Sequence, residues 1–130
     1  MGTGLPETGI EIVEQHGLSL SERSIALLES IEALPGATPK PMTPPRTSVP
    51  NVLIFKVMNK MFTIMSIRGP EGVILKCDPD QVLLLREEYE GVGHRSHLDP
   101  RYWISVSLES VVPMDKIIRL VNHSLHAAFK

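Results

Sequence analysis

The sequence predicts an α+β fold in which a mainly antiparallel sheet carries helices packed on one face. Apolar residues recur at helical spacing in three segments and form short β-prone runs in four others, in the order helix, three strands, helix, strand, helix. Short turns join the first three strands, as in an antiparallel meander. The length of 130 residues is enough for one hydrophobic core.

The predicted domain occupies residues 19–130, and a loosely attached arm is expected at residues 1–18. The arm mixes Gly, Thr, Pro and Glu with one short apolar patch. Its residues 5–9 spell Leu-Pro-Glu-Thr-Gly, a sortase sorting signal. Such signals act near a C-terminus and precede an apolar segment and basic residues, which are missing here. We therefore interpret the match as a coincidence or a cloning remnant.

The first helix is predicted to begin at Ser19, because Glu22 stands three residues later and such a pair can satisfy the free amides of a helix start. The helix is expected to end at Pro35. Its predicted buried stripe, which follows helical spacing, consists of Ile25, Leu27, Leu28, Ile31 and Leu34.

Six prolines lie between residues 35 and 50. Each removes a backbone donor and holds its predecessor in an extended conformation, which excludes a helix or a central strand. A mobile linker, a polyproline-type ligand for another protein and a loop laid across the domain all stay open. We favour a loop or linker and include it in the domain.

The sheet and the remaining helices are predicted from the pattern of apolar and polar residues after Pro50. Asp78 suits a helix cap and Pro79 the first helical position, so a helix is expected from there to about residue 90. Val82 and Leu85 belong to its buried side, whereas Arg86 is expected on its solvated side. The predicted strands are 52–57, 61–67, 73–77 and 102–108, with a loop at 92–101 and a last helix at 113–129.

Several separated motifs resemble the MmcQ/YjbR family over about residues 51–129. They are Lys60-Met61-Phe62, Lys76-Cys77-Asp78-Pro79, His97-Leu98 with Arg101 and Trp103, and Asn122-His123-Ser124. The resemblance implies a fold like that of the bacterial frataxin homologue CyaY, and it implies DNA binding, the function with which the family is commonly labelled. Two departures weaken the transfer: Met58-Asn59 replaces a Gly-Gly-type turn, and Asp99-Pro100 replaces Asn-Lys, which removes a base.

Charge is divided unevenly along the chain. Residues 1–36 hold six acids and one base, and residues 37–130 hold 12 bases and nine acids, within a formal net charge of −2. That excess is mild for a dedicated DNA-binding protein. We expect DNA to be the partner if the hairpin and the loop before the fourth strand gather cations on one surface. The predicted DNA-binding residues are Lys56, Lys60, Arg68, Lys76, Arg95 and Arg101.

The alternative function is a non-enzymatic module that binds a protein or a small ligand in a cleft between the sheet and the last helix. The predicted lining of that cleft is His97, Trp103 and His123. Cys77 ends an apolar strand, so we read it as a small buried hydrophobe, and we predict no catalytic residue.

Two His-x-x-His pairs, His94 with His97 and His123 with His126, have a spacing that invites a metal ion. No carboxylate or cysteine motif completes either set, and we expect no metal and no cofactor. The apolar runs are shorter than the ~20 residues of a membrane span, and the N-terminus lacks the order of a secretion signal. We expect a cytoplasmic protein, monomeric or weakly dimeric, with no membrane partner.

Overall fold

The structure, a computed structural model, describes residues 8–89, 92–93, 98–109 and 112–129. Within these ranges it contains four helices and one six-stranded sheet in which all pairings are antiparallel, which confirms the predicted α+β class. The helices are α1 (Gly9–Gln15), α2 (Glu22–Glu32), α3 (Pro79–Glu88) and α4 (Met114–Ala127). The strands are β1 (Thr38–Met42), β2 (Val52–Val57), β3 (Lys60–Ser66), β4 (Gly72–Lys76), β5 (Val92–Gly93) and β6 (Trp103–Ser107).

The strands lie in the order β1-β2-β3-β4-β6-β5, so that β1 and β5 are the edges. Helix α3 carries the chain from β4 past β6 to the short edge strand β5. Residues 92–93, which were expected in a loop, therefore pair with β6 opposite Val106 and Ser105.

The proline-rich segment contributes the edge strand β1, which corrects the loop predicted for residues 38–42. Pro39 and Pro41 lie opposite Phe55 and Leu53 in the β1–β2 register. Their missing amides fall on the outer side, where an edge strand needs no donor. The ladder is extended by Asn51, whose N–H donates to the carbonyl of Met42 at 3.0 Å. A turn follows β1, in which the Thr47 N–H donates to the Pro44 carbonyl at 3.3 Å.

Strands β2 and β3 form the predicted hairpin. Its two turn residues, Met58 and Asn59, both have left-handed backbone angles, with φ of 50° and 65°. Such a turn matches the twist of antiparallel strands. The β2–β3 register skips Phe62, and this bulge turns both Phe62 and Thr63 toward the helices, where both side chains are fully buried.

The core lies between one face of the sheet and all four helices. We call the face of the sheet that contributes to it the covered face; its fully buried strand residues include Leu53, Phe55, Met65, Leu75 and Ile104. These side chains form one continuous apolar cluster with residues from every helix, among them Ile12, Leu28, Val82 and Val121. Alternation along the strands places the remaining side chains on the opposite side.

Helix α1 departs from the arm expected at residues 1–18; of that range, residues 1–7 lie outside the described residues. Thr8 caps the helix, since its hydroxyl accepts from the Glu11 N–H at 3.1 Å and its own N–H donates to the Glu11 carboxylate at 3.2 Å. Ile12 and Val13 are buried in the core. The short apolar patch, read as part of an arm, is therefore one side of a packed helix.

Gly9, the last residue of the sortase-like motif, is buried against α2. Its N–H donates to the Glu32 carboxylate at 3.0 Å, and a Cβ added there would lie 2.7 Å from a methyl carbon of Leu28. The end of the motif thus has a structural use as a helix start.

Helix α2 begins later than the cap pair Ser19 and Glu22 predicted. Ser21 is the cap, because its hydroxyl accepts from the Ser24 N–H. The same serine donates from its N–H and hydroxyl to Glu71, at 3.0 and 2.8 Å, and the Ser24 hydroxyl donates to the same carboxylate oxygen. Glu71 thereby ties the β3–β4 turn to the start of α2. Ile25, predicted in the buried stripe, is 38% exposed instead.

The later elements follow the prediction with shifted bounds. Helix α3 starts after Asp78 with Pro79 at its first position, and it ends at Glu88 rather than near residue 90. In α4 the buried positions are Ile117, Leu120, Val121, Ser124 and Ala127. None of the helices in the described ranges has the length and apolarity needed to cross a membrane.

Candidate nucleic-acid interface

The sheet face opposite the core carries no helix of the described chain, and we call it the open face. Its central row runs across the strands through Lys40, Ile54, Ile64, Ile74 and Ser105, which lie opposite one another in the register. Ile54 and Ile64 are half-buried, and Ile74 is 9% exposed. The row forms a flat apolar strip.

Lysines border this strip at the end of the sheet that carries the β2–β3 hairpin turn. Lys56 and Lys76 follow Ile54 and Ile74 by two residues and therefore lie on the open face as well. From strand spacing, the Cα atoms of Lys56 and Lys76 are about 10 Å apart, two strand widths. Lys40 is diagonal to Lys56 on the neighbouring strand, at about 8 Å. Three ammonium groups thus share one side of the sheet.

No carboxylate balances these lysines within the sheet. The described strand residues include Lys40, Lys56, Lys60 and Lys76 but no Asp or Glu. Three acids near the strands in sequence are directed elsewhere: Asp78 lies 3.7 Å from His123 Nε2, Glu71 bonds to α2, and Asp99 bonds to Arg101. The described strand residues of the open face therefore carry a net positive charge, although the whole chain has a formal net charge of −2.

The other predicted DNA-binding residues are distributed unequally around this face. Lys60 lies at the same end of the sheet, beside the hairpin turn, with its ammonium 6.0 Å from the ring centre of Phe129. Arg101 also lies at that end, because it just precedes β6. Arg68 follows β3 at the opposite end, about 20 Å away along the strand. Arg95 lies outside the described residues.

Arg101 is already engaged by a carboxylate. Its guanidinium binds Asp99 through Nε and Nη2, the latter at 2.8 Å, and it stacks 5.4 Å from the ring centre of Tyr102. Hydrogen bonds from Arg101 lower the pKa of Asp99. This pair is 74% and 39% exposed, so water screens it strongly. Arg101 therefore does not make up for the base that is lost where Asp99-Pro100 replaces Asn-Lys, because Asp99 already matches its charge.

Trp103 and His123, predicted to line one cleft, lie on different sides of the sheet. Trp103 is opposite Lys76 in the register, on the open face, and it is 9% exposed. His123 lies on α4 above the covered face, in a polar groove of about 350 Å³ that also contains Asp78 and Lys116. His97 lies outside the described residues. The structure does not bring Trp103 and His123 together.

The Asn122-His123-Ser124 motif holds α4 to the sheet. The hydroxyl of Ser124 donates to the carbonyl of Phe62 and accepts from the N–H of Lys76 at 2.9 Å. These are the backbone groups that the bulge in β3 removes from the ladder. His123 Nε2 accepts from the N–H of Asp78 at 3.3 Å, which joins α4 to the start of α3.

Cys77 is unsuited to nucleophilic chemistry. It is 2% exposed and belongs to the core cluster. Burial, followed by the nearby charge of Asp78, raises the pKa of the Cys77 thiol to about 11. The thiolate that would attack a substrate is therefore scarce at neutral pH.

Two residues of interest were not predicted as site residues. Lys40 was overlooked because β1 was read as a loop, so its alternation with β2 could not be used. Arg86 was assigned to a solvated helix face, yet it is half-buried, and its Nη2 donates to the Trp103 carbonyl at 3.1 Å. The Trp103 carbonyl that binds Arg86 is 17 residues away in sequence, so the residues around Arg86 do not predict this contact.

The geometry can be compared with known proteins. A model of the YjbR family matches residues 32–126, which is most of the chain. The chain belongs to the YjbR family. The match confirms the resemblance that the separated motifs indicated. It extends that resemblance at its N-terminal side to the proline-rich segment and the edge strand β1.

A protein of another organism and several solved structures resemble the chain to different extents. An Escherichia coli O157:H7 protein, the uncharacterised YbdF, is 30% identical over 76 residues, which are 58% of this chain and 62% of YbdF. The crystal structure of Deinococcus radiodurans DR2400, a DUF419 domain, has a TM-score of 0.62 and 27% identity, covering 75% of this chain and 72% of that one. A Pseudomonas syringae protein has a TM-score of 0.63 and 18% identity, covering 84% and 99%, and supports the fold alone.

Proposed function

We propose that the protein binds DNA through the open face of its sheet, with Lys40, Lys56 and Lys76 as the phosphate contacts. What supports this is the segregation of charge: the described strands carry lysines without any Asp or Glu, although acids outnumber bases in the whole chain. Cations held on one surface neutralise phosphates and release counterions, which supplies sequence-independent affinity.

The arrangement also accounts for which predicted residues take part. Lys60 flanks the lysine-bearing end and extends the contact. Arg101 is already paired with Asp99 and Arg68 lies at the far end, so both contribute little. The apolar strip of Ile54, Ile64 and Ile74 offers a flat surface against which bases or sugars pack, as on other nucleic-acid-binding sheets. Backbone contacts of this kind position nucleic acid without reading its sequence.

The experiment is a fluorescence anisotropy titration of labelled mixed-sequence DNA, single-stranded and duplex, over about 50 to 200 mM salt. Wild-type affinity should fall steeply as salt rises. The double variant Lys56→Gln/Lys76→Gln should bind more weakly and reduce the slope of log affinity against log salt by roughly two, one for each lost phosphate contact. Arg68→Gln, the loss of one charge at the far end, should behave like the wild type.

Two outcomes would contradict the proposal. One is a binding curve that stays flat as the salt concentration is lowered. The other is an Arg68→Gln variant that loses about half as much binding free energy as the double variant. Each removed charge would then count equally, and the contact would depend on total charge rather than on the open face.

A further inference from the structure

The tip of the β2–β3 hairpin presents an apolar side chain to solvent. Met58, the first of its two turn residues, is 83% exposed, a larger fraction than any other large apolar side chain in the described part of the chain. The turn projects beyond the last pair of the ladder, Val57 opposite Lys60. The core therefore gains nothing from the Met58 side chain.

The backbone of the turn also disfavours a methionine. The φ of 50° at Met58 lies in the left-handed region, where a Cβ crowds the neighbouring carbonyl oxygen and glycine or asparagine is the usual residue. Asn59, the second turn residue, is of that type. The fold thus gives Met58 neither packing nor a favoured backbone conformation, and such outliers point to a contact outside the chain.

Lysines lie on both sides of the hairpin just behind this tip. Lys56 is on the open face. Lys60 is on the other side, because it is opposite Val57, which packs against the core, and its ammonium lies 6.0 Å from the ring centre of Phe129 after α4. The tip therefore combines an exposed apolar side chain with a cation on either side.

This arrangement fits duplex DNA better than an anionic lipid surface. Both partners have negative charge outside and apolar groups inside, but lipid headgroups lie in one plane, whereas phosphates border a DNA groove on two sides. Lysines on opposite sides of a hairpin match the second geometry. The minor groove is about 6 Å wide, so only the turn and its side chain need to enter it.

We infer that Met58 is an apolar wedge, a side chain that enters the minor groove of duplex DNA and partly separates two stacked base pairs, while Lys56 and Lys60 contact the phosphates on either side. The inference rests on the proposed DNA contact of the open face and adds the form of DNA, a duplex with a base step that unstacks readily. Methionine is one of the side chains used in this way, and unstacking costs least at a mismatched base.

The test is an anisotropy titration of the full chain with a labelled duplex that has one central mismatch, and with the same duplex fully paired. The wild type should bind the mismatched duplex about fivefold more tightly or better, because less energy is spent on unstacking. Met58→Gly should bind both duplexes equally, and it should fold like the wild type, because glycine adopts left-handed angles without steric cost. Its salt dependence should be unchanged, since Met58 carries no charge.

Two further variants separate the wedge from the flexibility of the turn. Met58→Leu keeps an apolar side chain and should retain the preference for the mismatched duplex. Asn59→Gly is the matched control in the same turn, and it should retain the preference as well. With 2-aminopurine beside the mismatch, emission should rise when the wild type binds, because the base leaves its stack, and it should not rise with Met58→Gly.

The outcomes distinguish this inference from the proposal on which it rests. Absence of salt-dependent binding to either duplex would overturn both. Salt-dependent binding without a preference for the mismatch, or a preference that persists in Met58→Gly, would overturn the wedge alone. The wedge would also be overturned if Met58→Gly lost binding to phosphatidylglycerol vesicles but kept the mismatch preference, since the tip would then face a lipid surface.

Discussion

The two faces of the sheet are built from similar strands but differ in what their side chains do. On the covered face, Leu53, Leu75 and Ile104 have no exposed surface and belong to a core shared with all four helices. On the open face, Ile54 and Ile64 are only half-buried and belong to the apolar strip that the lysines border. The comparison teaches that alternation alone separates a stabilising surface from an open, lysine-bearing surface within the same strands.

The largest expected difference between the faces concerns the cost of removing an isoleucine side chain. Ile104→Ala, on the covered face, should lower the free energy of unfolding by about 3–4 kcal/mol, because it removes apolar contacts and leaves a cavity. Ile64→Ala, on the open face, should cost about 1 kcal/mol, since water can reach the vacated space. Urea unfolding with an unchanged m-value measures both.

Equal costs for the two alanine variants would break the comparison. The open face would then be covered in solution, and lysines beside a second core could not serve as phosphate contacts.

The next effect concerns the bond that ties the covered face to α4. Ser124→Ala should lower the free energy of unfolding by about 2–3 kcal/mol, because the Phe62 carbonyl and the Lys76 N–H both lose their buried partner. Ser30→Ala is the matched control on α2. Its hydroxyl bonds to the Ala26 carbonyl at an exposed position, and its loss should cost at most about 0.5 kcal/mol. Similar costs for both would show that the bulge is satisfied by water instead.

The covered face was the part most open to prediction from sequence. Apolar runs at period two and at helical spacing indicated β2, β3, β4, β6 and the three larger helices, because burial imposes those periods on each element locally. The bulge at Phe62 escaped prediction, as did the edge strand β1. Both depend on pairing partners rather than on their own residues.

The open face was predictable only in part. Lys56 and Lys76 were identified as cations of the hairpin region, and the structure places both on the same side of the sheet. Lys40 was not predicted as a site residue because β1 was not predicted as a strand. Arg68 was grouped with Lys56 and Lys76 although a full strand length separates it from them. The position of Arg86 depends on its hydrogen bond to the Trp103 carbonyl of β6, which no local pattern encodes.

The smallest expected effect concerns the hydrogen bonds between Glu71 and the start of α2, at the end of the sheet remote from the lysines. Partial burial acts to raise the pKa of Glu71, but hydrogen bonds from Ser24 and from the backbone and side chain of Ser21 outweigh it, so the pKa lies below its ordinary value of 4.5. A carboxylate with a lowered pKa in the folded state stabilises the fold above its unfolded pKa. That stabilisation is lost as the pH falls through the lowered folded-state pKa.

Glu71→Gln should therefore cost about 1 kcal/mol of unfolding free energy at pH 7, and the difference from the wild type should shrink as the pH is lowered. Urea unfolding at a series of pH values measures it. In a Ser24→Ala background the same substitution should have a smaller effect, because one donor to the carboxylate is already gone. A Glu71→Gln cost that is independent of both pH and Ser24 would mean that the side chain acts by packing. The end of the sheet remote from the lysines would then be stabilised by van der Waals contacts rather than by a charged carboxylate.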